Sequence, residues 1–359
     1  MNNIDNRMEQ LQIFRFVAFM LVYFCHVPMF RFKFFPSEDG SLVGLEFFLL
    51  LSGFLAAYSL YHKADIPVTK ENVFNYVKKK VIKFYPLYFI TNLIAVSYSE
   101  LPSNISNHNF KGAGLDFLTL LKDLFLLKSW IPWRIFSHNG ATWYISCILF
   151  LSLLNIPINH WVCSFIKKDN ASKKLMIMLA SAIAYMCIMH LSVLIWGIQS
   201  ALLNSPLFRL GDYIAGMALG YIAVLYKEKH PLNENQKNYT LFESIILVFW
   251  FLSFSAHING IITIVSGYLM DILLIFIFAI GYGNVSQALK AKPLVLIGNI
   301  TFECYMIHQV IIYIYCNYNG WENYTRSGKV FGFMFCLLIT ICIAAYLNKK
   351  TSFISLNNK

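Results

Sequence analysis

The chain has 359 residues, 58% of them hydrophobic and 13% charged, with a net charge of +11 and a mean hydropathy of +0.57. Soluble domains average roughly 25% charged residues, so this chain lacks the polar surface to solvate a globule of its size, and lipid must cover most of it. Its positive charge lies in short loops between apolar runs, the pattern of membrane topology signals, and no nucleic-acid partner is expected.

A spanning helix needs about 20 mostly apolar residues. Such runs predict spans at 10–28, 42–62, 81–99, 142–165, 175–195, 206–226, 241–257, 261–281, 296–316 and 330–348. The fold class expected is all-α: a polytopic bundle of about ten transmembrane helices. The polar stretch His257-Ile258-Asn259-Gly260 reads as a tight turn between two spans. Residues 1–350 read as a single membrane domain and 351–359 as a short cytoplasmic tail. Arg15 interrupts the first apolar run and no small-residue cleavage site follows, so no cleavable leader is expected.

The longest loop, 100–141, contains an apolar piece at 116–127. It is too short to span and carries Asp116, Lys122 and Asp123, so it should lie in the interface or re-enter. Trp130, Trp133 and Trp143 read as interface anchors where the chain returns to the membrane. With the N-terminus inside, nineteen Lys and Arg fall on the inner side and eight on the outer; Arg15 and Arg209, within spans, complete the 29. That bias places both termini in the cytoplasm of a multi-pass protein of the cell membrane. The eight cysteines form no CxxC pair and read as small buried hydrophobes, with no metal site expected.

Ionisable groups inside a bilayer are costly and each needs an explanation. Arg15 and His26 are eleven residues apart on the first span. That spacing is about 3.06 turns, leaving them about 20° apart around the axis, so they share a face about 16 Å apart along it. Glu46 begins Glu46-Phe47-Phe48 and leads to Ser52-Gly53-Phe54 on the second span. It could orient His26 if the two spans pack as a hairpin, or simply pair with Arg31 or Lys33. Ser52-Gly53 is a small-residue patch that fits close helix packing better than nucleophilic chemistry. Lys79-Lys80-x2-Lys83-Phe84-Tyr85-Pro86 suits a topology signal and also an anionic, phosphate-bearing ligand. Arg209 and Asp212 have the spacing of an i,i+3 pair. Tyr213, Asp271, Glu303, Tyr305 and His308 complete the polar positions, and Gly216 follows Tyr213 on its span; singly, each fits a structural role.

Together these residues resemble the acyltransferase family 3 membrane proteins, which acylate carbohydrates. The resemblance covers nearly the whole chain in order. Arg15-x10-His26, Glu46-Phe47-Phe48 to Ser52-Gly53-Phe54, and Lys79-Lys80-x2-Lys83-Phe84-Tyr85-Pro86 are similar to three of the family's segments. Arg209-x3-Tyr213-x2-Gly216 and Thr301-Phe302-Glu303-Cys304-Tyr305-Met306-Ile307-His308 are similar to two more. The chain departs from the family in two ways. Lys stands where the basic segment usually has Arg, keeping charge but losing bidentate geometry. After Trp143 the usual acidic position holds Ile148.

The resemblance implies an acyl-CoA donor, by default acetyl-CoA, used as substrate with no bound cofactor. It implies a hydroxyl acceptor on a surface polysaccharide or lipid-linked saccharide. His26, Arg15 and Glu46 take the catalytic roles: His26 as general base, or as the bearer of a covalent acyl group, with Glu46 orienting it. Lys79, Lys80 and Lys83 bind the CoA phosphates, Arg209 stabilises the oxyanion, and Ser52, Tyr213, Tyr305 and His308 belong to the binding residues. No esterase-like domain is expected after the last span, so transfer is direct or goes through a separate extracytoplasmic transferase partner. A polytopic transporter or flippase for a glycan or small molecule, and a non-catalytic membrane sensor, are the alternatives. A transporter would more often show inverted repeats or Gly/Pro-broken helices, and no such pair is evident.

Overall fold

The computed structural model describes residues 8–27, 38–63, 66–131, 133–196, 203–231, 236–255, 261–319 and 325–357. The expected turn at 257–260, and Arg31 and Lys33 as alternative partners of Glu46, lie outside these residues. All regular structure among the described residues is helical.

The first helices are α1 (Gln12–His26), α2 (Glu38–Tyr61) and α3 (Lys70–Ala95). The loop after them carries α4 (Glu100–Ser106) and α5 (Phe110–Leu124). Next come α6 (Trp143–Leu151), α7 (Asn155–Cys163), α8 (Ala171–Trp196), α9 (Leu210–Lys229), α10 (Gln236–Ser255) and α11 (Ile261–Ile280). Finally come α12 (Asn284–Leu289), α13 (Lys292–Asn299), α14 (Thr301–Asn319) and α15 (Arg326–Asn357). Among the described residues five helical stretches are long and apolar enough to cross a membrane: Ser41–Tyr61, Lys70–Tyr98, Gly140–Cys163, Ala171–Val193 and Arg326–Lys350. The pair α13 and α14, bent by 53° between them, makes a sixth if taken as one span. This is an all-helical membrane protein.

Three predicted spans differ in detail. The span at 142–165 is broken by a 3-10 turn over Ser152–Leu154. Pro157 lies four residues after Leu153 and cannot donate to its carbonyl, so the helix loses a rung there and tightens. The span at 296–316 is two helices meeting at Ile300, where the backbone leaves the helical region (φ −87°, ψ 0°). The third helix begins well before residue 81, at Lys70, because Thr69 caps it by accepting from the Asn72 amide. At the chain's end, α15 runs on through 351–357.

The centre of the bundle is α2, which packs on α1, α9 and α11. Its contact with α9 brings backbone against backbone. A Cβ on Gly53 would collide with the Tyr213 carbonyl, and one on Gly216 with the Leu50 carbonyl. Two facing glycines thus set the closeness of these helices, as small residues do in membranes. Trp143 is not an interface anchor: it is 4% exposed and sits in the core, whereas Trp130 and Trp133 are exposed. The reason is its place on the first turn of α6, a helix buried along most of its length.

Candidate functional site

α1 ends on His26, and that end meets α14. His26 Nδ1 lies 2.9 Å from the Val22 carbonyl one turn back, and 3.5 Å from His308 Nε2. His308 Nδ1 in turn lies 2.7 Å from the Tyr305 carbonyl. A carbonyl only accepts, so both imidazoles carry their proton on Nδ1. His308 Nε2 then presents a lone pair to His26 Nδ1, and His26 Nε2 is left as the basic nitrogen. The two rings meet edge to face, 5.2 Å between centroids. Arg15 lies near the other end of α1, with Nη1 2.8 Å from Gln12 Oε1. Both Arg15 and His26 are half-buried on that helix.

Glu46 does not reach His26. It is wholly buried, with Oε1 3.4 Å from Arg209 Nη1 and 3.3 Å from His190 Nε2, which lies off the line of a hydrogen bond. Arg209 Nη1 also lies 3.4 Å from Asp212 Oδ2, the expected i,i+3 pair. Arg209 Nε and Nη2, Glu46 Oε2 and Asp212 Oδ1 are buried with no hydrogen-bond partner among the described residues. The acid of α2 is therefore the partner of a guanidinium at the start of α9 and an imidazole on α8. α2 turns Glu46 toward α8 and α9, while His26 stands on the side of α1 that faces α14.

Ser52 and the two candidate tyrosines are held by neighbours. Ser52 Oγ bonds Tyr144 Oη at 3.0 Å, and Tyr144 donates to the Phe48 carbonyl at 3.1 Å. Tyr213 donates to Asn155 Oδ1 at 2.7 Å. Tyr305 donates to the Ala141 carbonyl at 3.1 Å, so it ties α14 to the return loop. Lys79 and Lys83, four apart on α3, are exposed on one face, and Lys80 is half-buried. Lys80 Nζ sits 5.3 Å from the Tyr76 ring centroid, and Lys83 Nζ 5.5 Å from that of Phe84.

The loop before α6 contains polar groups that the sequence reading did not single out as a unit. Asp123 Oδ2 lies 3.1 Å from Lys128 Nζ and 3.0 Å from His138 Nδ1, all three side chains being buried. Lys128 also donates to the carbonyls of Ser137 (2.9 Å) and Asn139 (2.8 Å). Tyr88 on α3 donates to the Asp123 carbonyl. His138 has a left-handed backbone (φ +52°), uncommon outside glycine. Next to it, Asn139 donates to the Met306 carbonyl at 2.8 Å. Gln309 Oε1 accepts from the Ala141 amide at 2.7 Å. The loop is thus seated on the turn of α14 that carries His308. Burial lowers the Lys128 ammonium to about 8, only partly offset by Asp123. His190 is the other residue overlooked; an imidazole inside a predicted span was itself a signal. For Asp123 and His138, fifteen residues apart in a loop, no spacing rule exists. Among the described residues no group of three His, Cys, Asp or Glu is placed to hold a metal ion.

A family model described as an acyltransferase domain matches residues 8–349. The acyltransferase MdmB of Streptomyces mycarofaciens is 27% identical over 152 residues, which cover 39% of this chain and 36% of that protein. The match therefore spans little more than a third of that relative's length. No solved structure matches the chain.

Proposed function

Because the chain belongs to the acyltransferase family 3 membrane proteins, we propose that it moves an acyl group, by default acetyl, from cytoplasmic acyl-CoA to a sugar hydroxyl at the opposite membrane face. The reading includes the ten-span arrangement with both termini in the cytoplasm of a cell-membrane protein. The observation that carries it is the pair of contacts at His26 Nδ1. Val22 and His308 engage Nδ1, so Nε2 is available as a general base.

In this mechanism the acceptor oxygen bonds to the thioester carbonyl carbon as its proton passes to His26 Nε2. The tetrahedral intermediate then collapses with cleavage of the C–S bond, and the leaving sulfur takes the proton from His26. The products are the sugar ester and CoA thiol. Lys79, Lys80 and Lys83 hold the CoA phosphates as point charges, and Arg15 lies on the α1 path between them and His26. Glu46 and Asp212 fix Arg209 where α2, α8 and α9 meet, and Glu46 orients this guanidinium instead of His26.

The test is the ester content of the host's surface glycans, measured by mass spectrometry and NMR. A deletion strain is complemented with the wild type or with His26→Ala. Esters lost on deletion and restored only by the wild type support the reading. Restoration by His26→Ala would remove His26 from the chemistry, and esters unchanged on deletion would refute this acceptor class.

A further inference from the structure

Between α7, α8 and α9 runs a groove that encloses about 570 Å³. None of the residues assigned a role above lines it, though Leu210 and Gly211, between Arg209 and Asp212, do. Its walls include Trp161 of α7, Ile177, Met178 and Tyr185 of α8, and Ile214 of α9, with Lys174 at one end. Trp161 is 51% and Ile177 55% exposed, so the groove opens sideways, to the surface that lipid covers.

We propose that this groove binds one acyl chain of an anionic phospholipid, with the headgroup held by the lysines at its mouth. Two features support an anionic lipid in particular. The first is depth. From Lys174 to Tyr185 is eleven residues of a single helix, about 16 Å. That is about half of a hydrocarbon core of roughly 30 Å, the thickness of one leaflet. Measured from Lys174 inward, the groove is thus about one leaflet long, closing at Tyr185, which donates to the Leu207 carbonyl (2.8 Å). The second is charge. Lys174 lines the groove, and Lys167, Lys168 and Lys173, close to it in sequence, are exposed like it, with Asp169 as the acid among them. None of the four is in an ion pair among the described residues. Lys174 Nζ is 4.8 Å from the Phe165 ring centroid, which holds the ammonium beside the groove. Basic residues next to a membrane surface attract anionic lipid headgroups, and the aromatic ring of Trp161 suits the same interfacial level.

The inference needs only that the chain is a membrane protein, so it stands apart from acyl transfer. The test uses the full chain in lipid nanodiscs containing a phosphatidylglycerol with a photoreactive diazirine in its acyl chain. The cross-linked peptides are then mapped. The expected adducts fall on Trp161, Met178 and Tyr185. Unlabelled phosphatidylglycerol should suppress them roughly tenfold better than phosphatidylcholine. Lys173→Gln/Lys174→Gln should remove that headgroup preference, and Ser181→Trp, which fills the groove from an exposed position, should remove the adducts. Size-exclusion profiles matching the wild type establish that each variant is folded. The proposal is overturned if both lipids compete equally, or if labelling is no denser here than on the exposed α10 residues Phe249 and Phe251.

Discussion

His26 and His308 stand 282 residues apart in sequence and meet at 3.5 Å between Nδ1 of the first and Nε2 of the second. The contact couples the end of α1 to the α14 turn on which the 138–142 loop is seated. His308 is a positioning residue in the proposed mechanism, because its lone pair faces the proton that fixes the His26 tautomer.

His308→Gln should therefore lower kcat for acyl transfer by about tenfold to a hundredfold while leaving the donor KM near the wild-type value. The pH dependence of kcat should also move, because the imidazole it acts through has lost a neighbour. Steady-state kinetics in detergent or proteoliposomes reads both. A loss confined to protein yield, with normal kcat in what remains, would reduce His308 to a packing residue.

Glu46 offers a sharper choice, since its partner is Arg209 and not His26. Replacing one member of a buried ion pair costs on the order of 3 kcal/mol, because the other charge is stranded. Glu46→Gln should lower the thermal transition of the purified protein, and Arg209→Ala should lower it further by also stranding Asp212. If Glu46→Gln left the transition unchanged while abolishing turnover, a direct catalytic role for Glu46 would be restored.

In the proposed mechanism Lys79, Lys80 and Lys83 of α3 hold the donor phosphates. Lys79→Gln/Lys83→Gln should raise the KM for acyl-CoA with little change in kcat, the signature of lost uniform binding. The effect should shrink as salt rises, because these ammonium groups are exposed and screened. Equal KM values for the variant and the wild type at low salt would move the donor site elsewhere.

Lys128 makes the loop pH-dependent. Its ammonium is lowered from 10.5 to about 8 by burial. When the loop opens, Lys128 regains its higher affinity for the proton, so opening takes up a proton between about pH 8 and 10. Raising pH through that window removes the cost of burying the charge and tightens the closed loop, by about 3 kcal/mol at most. Hydrogen exchange of amides 122–142, corrected for the intrinsic rate, should slow across the window. Lys128→Met should flatten the dependence; an identical slope in that variant would assign it to another group.

The sequence by itself determined that the chain is all-helical and membrane-embedded, because a run of about 20 apolar residues is a local property that lipid enforces wherever the run sits. It also marked His26, Glu46, Arg209 and His308 as costly residues in spans, and Arg15 with His26 as one face of a helix. The span at 142–165 reads as continuous in the sequence, and its break near residue 153 came from the structure. Only the tertiary structure decided which polar residues meet. Glu46 faces Arg209 and His190 rather than His26 because the facing glycines at 53 and 216 lock α2 against α9. His26 found its neighbour on α14, and Asp123 gathered Lys128 and His138 through the path of an irregular loop. Helix periodicity says which residues share a face; which helix that face meets depends on the packing of distant segments, and no spacing within one span encodes it.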